Sequence, residues 1–433
     1  MASRHTDPSA TLSDLVAFRQ AAYDCLTAQP DALFELCDAL LLTPQVSSFI
    51  EVTLCPAFRR RWPSAYPALK LGKIDYEQLG RRLLDVAPPV ERPICGIDHT
   101  GWLRPYARTV RDRAYHHSPT LAPGGKPVGI GHAYSTVSLI PEQGGSWALP
   151  LENRRIPSWM TPVQMATRQV RNLVKKVEKR LLFLADSEYG CAPFVKATAT
   201  LEADFLLRIR PNRVLWGMPP AYGGMGRPRE YGPKFSLKDA SCWPLPDEQV
   251  VQEDPRMGKI IVQCWKRMCL RNAPDHKGTL IRVHRPEAKN TKRDLQDLWL
   301  FFVGQDPLPL SEIWKTYLRR FTLEHFYRFA KQTLLWNAPK LREPEAGQTW
   351  THLLTLAYWQ LWLARPILQD CPLPWQKPQQ TLTPGRALKA MGGVLSRIGT
   401  PAQSPKPRGK SPGRAKGQSP GRYRRYPVIK KSA

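Results

Sequence analysis

The sequence lacks three things that would each point to a different kind of protein. No apolar run approaches the roughly 18–20 residues that a membrane-spanning helix needs. The opening stretch, Met1 to Pro8, has no apolar segment of the kind that directs secretion. Nine cysteines are present without a single Cys-x-x-Cys pair, so the chain carries no disulfide framework, and a reducing compartment, the cytoplasm, is expected. Acids are also scarce. Against 64 Lys and Arg stand 36 Asp and Glu, a formal charge of +28 in 433 residues. Self-repulsion on that scale is most easily relieved by a polyanion, and nucleic acid is the first candidate. Ten of the basic residues, with no acid, lie between Pro401 and Ala433, which leaves +18 on the other 400 residues. The body is basic as well as the tail.

What is present divides the chain into six stretches. Residues 1–90 read as a helical domain, with Leu15, Phe18, Ala22 and Leu26 recurring at helical spacing and an apolar segment from Asp31 to Leu42. From residue 91 to 210 the pattern changes to short strands: Ile94–Asp98, Trp102–Tyr106, Val128–Ile140, Leu181–Asp186 and Asp204–Ile209. A helix from Pro162 to Arg180, capped by Thr161, and a shorter one within Cys191–Thr200 separate the later strands. Residues 211–306 lose helical periodicity and read as a β-rich insertion, with strands at 259–265, 279–283 and 298–303. A helix is expected from Ser311 to about Trp336, within a stretch 307–340, and another from Trp350 to Ala364, within 341–400. The Pro-, Gly-, Ser- and Lys/Arg-rich end, 401–433, is expected to be disordered.

Without the insertion, this order is the succession of the ribonuclease H-like fold, an α/β architecture with a mixed sheet. In such a sheet the first and fourth strands are neighbours. Asp98 and Asp186, which end those two strands, would then meet at one sheet edge. Carboxylates that converge repel each other unless a cation lies between them, and Mg²⁺ or Mn²⁺ suits oxygen donors. Two such ions, about 3.5–4 Å apart, clamp the attacking and leaving oxygens of a phosphodiester.

The helix after the insertion narrows the reading. Tyr317, Arg320, Glu324 and Lys331 fall within an arc of roughly 60°, with Arg328 on the same face. Leu318, Leu323, Phe326, Phe329 and Ala330 occupy the other side, available to pack on the sheet. One carboxylate among cations suits a metal flanked by phosphate contacts.

Tyr317-x-x-Arg320-x-x-x-Glu324-x-x-x-x-x-x-Lys331 resembles the Tyr-Arg-Glu-Lys motif of bacterial insertion-sequence transposases with an Asp-Asp-Glu site. Asp98-His99-Thr100-Gly101 is similar to that family's first motif, and Asp186-Ser187-Glu188-Tyr189-Gly190 to its second. The resemblance spans residues 90–336. It implies that Asp98, Asp186 and Glu324 are catalytic and hold two Mg²⁺ (or Mn²⁺) ions, while Tyr317, Arg320, Arg328 and Lys331 bind DNA phosphates. It further implies a helical N-terminal domain that binds transposon ends and a homodimer on double-stranded DNA, ends and target alike. The expected activity is cutting at the ends and joining of the freed 3′-hydroxyls to target DNA, in the cytoplasm at the nucleoid. Where similar transposases often carry a second acid after the first Asp, this chain has His99. Two other readings stay open: a ribonuclease H-like DNA nuclease that cuts without joining, and an inactive DNA-binding transposase remnant. Trp216, Trp243 and Trp265 of the insertion read as core residues more readily than as platforms for a flipped base.

Overall fold

The structure is a computed structural model in which residues 8–122, 126–291, 294–407, 413, 416–419 and 421–430 are described. It opens with five helices, α1 (Pro8–Asp24), α2 (Pro30–Leu42), α3 (Phe49–Thr53), α4 (Ala65–Leu71) and α5 (Tyr76–Asp85). A small ribbon of β1 (Leu26–Ala28) and β2 (Lys73–Ile74) ties them together. The sheet-forming region holds β3 (Ile94–Leu103), β4 (Ala114–Ala122), β5 (Lys126–Leu139), β6 (Leu149–Ile156), α6 (Pro162–Val174), β7 (Leu181–Ala185), α7 (Ala192–Thr198) and β8 (Ala203–Arg208).

These strands lie in the order β6-β5-β3-β7-β8. The first three pair antiparallel, and β3, β7 and β8 pair parallel. That is the ribonuclease H-like arrangement the sequence predicts. The antiparallel trio is composed differently, however. Trp102 lies on the continuation of β3 rather than on a second strand, and β6 supplies the third member. Its Leu-Pro-Leu-Glu-Asn-Arg-Arg-Ile sequence has too little alternation to announce a strand. β4 is an addition that pairs with the outer half of β5. β7, Leu-Leu-Phe-Leu-Ala, is buried at all five positions, as a parallel strand covered on both faces must be. Thr161 and Gln164 form a reciprocal capping box at the start of α6.

The insertion contributes β9 (Val214–Trp216), β10 (Lys234–Ser236), β11 (Glu248–Asp254), β12 (Gly258–Leu270), β13 (Gly278–His284) and β14 (Asp297–Val303). β14 pairs antiparallel with β8, so the insertion prolongs the same 12-stranded sheet instead of forming a separate body. Trp265 and Trp299 are buried around Phe235, and the Arg282 guanidinium lies 4.8 Å from the centre of the Trp243 ring. Trp265 is core, as its setting in the sequence suggests.

After the insertion come α8 (Leu310–Leu318), a tight 3₁₀ turn at Arg319–Phe321, α9 (Thr322–Gln332), α10 (Pro344–Ala364) and α11 (Pro384–Ile398). The expected single helix from Ser311 to Trp336 is thus interrupted, and Ser311 does not cap it; Pro309 takes that position without a side-chain bond. α10 is buried along almost its whole length because α1, α2, α4, α11 and β6 surround it, so its Leu- and Trp-rich composition is core packing. Among the described residues no helix is long and apolar enough to cross a membrane. The tail departs from expectation. Residues 421–430 are held against the body, with Tyr426 N–H donating to Arg108 O and Ile429 N–H to Arg113 O, both at 2.9 Å.

Candidate active site

The register of two parallel strands builds the first half of the site. Ile97 of β3 lies opposite Ala185 of β7, so the next residues along, Asp98 and Asp186, come side by side; Asp186 follows the last residue of β7, whereas Asp98 does not end its strand as the sequence suggests but stays in β3, paired with Thr136 of β5. Asp98 is partly buried. Burial pushes its carboxyl up, the Arg320 guanidinium opposes that shift, and the charge of Asp186 adds to it. Each acid also accepts from a backbone N–H close by in its own chain segment: Asp98 from His99 at 2.8 Å and Asp186 from Glu188 at 2.9 Å. Gly190 follows because the chain there runs against β8, where any Cβ would meet Arg208 O at 2.1 Å.

The second half comes from α9, which packs over β3. Gly96 makes that contact possible, since Leu323 Cδ1 lies only 2.4 Å from where a Cβ would stand. Leu323, Phe326 and Ala330 form the buried side, as their spacing predicts. Glu324 extends from the opposite side, about half exposed.

Arg320 joins the two halves. Its Nη1 lies 3.2 Å from Asp98 Oδ2 and its Nη2 3.5 Å from Glu324 Oε1. Only 5% of it is exposed, where the helical pattern presents it on the open face. The 3₁₀ turn at Arg319–Phe321 and the pull of the two acids account for its burial. Burial disfavours its charge, but Tyr317 and the carboxylates of Asp98, Asp186 and Glu324 around it outweigh that and raise its pKa. Tyr317 is likewise buried, with its hydroxyl left without a protein hydrogen-bond partner beside Arg320. Lys331 reaches β3 and donates to Thr100 Oγ1; burial lowers its pKa and Asp98 opposes the shift. Arg328 is exposed at the helix surface, away from these contacts.

The seven residues singled out in the sequence therefore divide. Asp98, Asp186, Arg320, Glu324, Tyr317 and Lys331 lie around one centre, and Arg328 does not share it. His99 turns its ring to Tyr189, Nδ1 to hydroxyl 3.2 Å. Tyr327 belongs to the same neighbourhood and was not singled out. It is buried, with its pKa raised well above normal by burial and by the charge of Asp98. Its helical angle lies only about 20° from that of Arg320, so a wider arc includes it.

Could the acids hold metal? Among the described residues no three His, Cys, Asp or Glu side chains converge as a closed metal cluster does. Instead, Arg320 stands between Asp98 and Glu324 as the compensating cation. The donor chemistry nevertheless fits a hard divalent ion: oxygen donors only, one of them a partly buried carboxylate whose repulsion by its neighbour demands positive charge. Asp204, a nearby acid by sequence, is excluded by position. It pairs with Leu182 at the opposite end of β7, where Arg92 and Arg180 neutralise it.

A ribonuclease H-like sheet with two acids side by side on its central strands and a third on the covering helix defines a class of metal-dependent nucleases. The chain belongs to one family within it: residues 22–263, more than half of the sequence, match the model of the DDE superfamily endonucleases. The matched region contains Asp98 and Asp186 and ends before Glu324. No curated protein matches the chain.

Proposed function

We propose that this endonuclease is a DNA transposase of the insertion-sequence type, whose Tyr-Arg-Glu-Lys motif runs through Tyr317, Arg320, Glu324 and Lys331. One observation carries the reading: Arg320 is bonded to both Asp98 and Glu324 while Asp186 lies beside Asp98. The third acid of the motif thus faces the first two, although 226 residues separate Asp98 from Glu324 and the family match stops short of it.

Two divalent cations, Mg²⁺ or Mn²⁺, held by Asp98, Asp186 and Glu324, would supply positive charge to the attacking and departing oxygens of a phosphodiester. The chain's own groups do the rest. Lys331 and Arg320 draw the phosphate to the acids, and Arg328 holds the backbone farther along the helix. In the first step a water oxygen attacks phosphorus at a transposon end. The P–O3′ bond breaks, the 3′-oxygen leaves and takes a proton, and the flanking strand keeps the 5′-phosphate. In the second step that 3′-hydroxyl attacks a target phosphodiester, loses its proton and displaces the target's 3′-oxygen, so one phosphodiester forms for each one broken. The two ends are brought together by a homodimer on DNA, with the helices of residues 1–90 gripping the ends.

The test uses DNA carrying the inverted repeats that flank the coding region. The wild-type protein should cut it in Mg²⁺ and join the ends to a second duplex. Asp98→Ala, Asp186→Asn and Glu324→Gln should each abolish both steps while end binding persists. Cutting without joining points to a plain nuclease, and normal cutting by Asp186→Asn overturns the triad.

A further inference from the structure

Three segments far apart in sequence meet beyond the candidate active site. β3 runs on past Asp98 to Leu103, five residues or about 17 Å at roughly 3.3 Å each. There Arg104 donates to Leu341 O, and Arg111 N–H donates to Arg342 O at 3.0 Å, tying the loop after β3 to the loop after α9. The C-terminal segment lies across both. Buried Arg113 donates to Tyr426 O at 3.0 Å, Ile429 bridges to Ala114, and the Arg342 guanidinium stacks 3.6 Å over the Tyr423 ring. Six exposed cations gather on this face: Arg108, Lys340, Arg342, Arg422, Arg424 and Arg425. Among the described residues none of them is in an ion pair. Of the two acids near Arg111, Glu343 is held by it at 2.7 Å, and Glu345 is exposed. Tyr106 and Tyr423 are exposed among the cations, at 81% and 67%.

We propose that this face is an interaction surface for double-stranded DNA, on which the docked tail, the loop after β3 and the loop after α9 together hold the duplex flanking the cut. It rests on the reading of DNA as the substrate and adds where the duplex continues. Cations outnumber acids on the face, and it joins the candidate site along β3, with Lys331 on Thr100 in between. A separation of about 17 Å corresponds to about five phosphates of one strand at 3.4 Å each. Solvated cations on a loose tail would bind DNA at no fixed position. Cations anchored through Arg113 and Tyr426 hold it in register with the acids.

The experiment measures duplex binding against salt and the hydroxyl-radical footprint on full-length protein. Replacing Arg422, Arg424 and Arg425 together by Gln should make the salt slope shallower by up to about 0.9 per cation and weaken binding about ten- to a hundredfold at 0.15 M salt. The footprint should shorten by about five base pairs on the side away from the cut. Lys340→Gln with Arg342→Gln should shorten it on the same side. Arg113→Met undocks the tail but keeps every exposed cation, so it should reproduce the shortened footprint. Tyr426→Pro, which removes the N–H donated to Arg108 O, should do the same if Arg113→Met does not fold. An unchanged slope and footprint in the triple variant overturns the surface. So does a wild-type footprint in the undocked variant, because the tail then acts as a loose polycation. Absence of Mg²⁺-dependent cutting by the wild type counts against the transposase reading, whereas intact cutting with unaltered variant footprints counts against this surface alone.

Discussion

Arg320 Nη1 lies 3.2 Å from Asp98 Oδ2, the guanidinium buried and the carboxylate still open to solvent over 16% of its surface. The guanidinium thus occupies the charge-neutralising position between Asp98 and Glu324 that a divalent ion would take over. Metal and Arg320 then compete for the same oxygens, and an ion that enters releases the guanidinium toward DNA.

Competition predicts that Arg320→Ala, free of DNA, binds Mn²⁺ about tenfold more tightly than the wild type, since tenfold corresponds to about 1.4 kcal/mol, close to the lower end of about 1.5–3 kcal/mol for a charged hydrogen bond. Its cleavage rate should nevertheless fall about ten- to a hundredfold through the lost phosphate contact. Calorimetric titration with Mn²⁺ measures the first quantity. Equal or weaker metal affinity in the variant shows that Arg320 does not stand in the ion's place.

Gly96 governs how closely α9 approaches the strand that carries Asp98. Gly96→Ala puts a methyl against Leu323, which is fully buried and cannot swing aside. The overpacking should cost about 1–3 kcal/mol of stability and displace Glu324 from the two Asp residues. Thermal melting and cleavage should both suffer, and Leu323→Val in the same chain should restore part of each. A single Gly96→Ala variant with wild-type melting and cleavage removes this role for the glycine.

Asp204 offers a contrast between an acid that supports the fold and acids that serve chemistry. It is completely buried, with Arg92 Nη2 at 2.6 Å, Arg180 Nε at 2.9 Å and the Gln305 N–H at 2.9 Å. Asp204→Ala leaves two guanidinium groups without their shared anion and should cost about 3–5 kcal/mol. Cleavage per folded molecule, measured well below the lowered melting temperature, should stay near wild type. A folded Asp204→Ala protein without cleavage would make Asp204 part of the chemistry.

The sequence was legible where one physical rule dominates. Buried parallel strands show as unbroken apolar runs, so Leu181–Ala185 appears almost to the residue. Thr161-Pro162 marks the start of α6 because its cap and its first-turn proline agree. α8 and α9 were legible as a face but not as a shape. Helical angle places Glu324 and Lys331 but not the 3₁₀ turn that buries Arg320, because the acids that pull on it come from strands 134 and 222 residues away. β6 and β11 were missed since their alternation is weak and cross-strand pairing, not local pattern, makes them strands. The docking of residues 421–430 was hidden for the same reason. Composition shows a solvated basic tail, whereas the backbone hydrogen bonds and the Arg113 clamp are long-range.

Two buried histidines should set the acid limit of stability. His132 Nε2–H donates to Arg111 O at 2.7 Å, and burial brings its pKa down to about 4. His352, in the buried middle of α10 beside the Tyr76 ring, is brought down to about 3, by burial first and then by Arg154. Both are neutral in the folded protein at pH 7. Unfolded, each takes up a proton near pH 6.5. Between the two values the unfolded state binds more protons than the folded one, so stability falls as the pH drops. The contribution is fully present above pH 6.5 and is lost on the way down, about 3 kcal/mol for each histidine by pH 4. His352→Gln removes one of the two titrating groups, keeps a side chain able to bond Gln348, and should make the melting temperature less sensitive to pH between 6.5 and 4. His132→Gln should flatten the same window, and the double variant more than either. Parallel melting curves for wild type and His352→Gln throughout that window would mean that His352 is not held neutral by its burial.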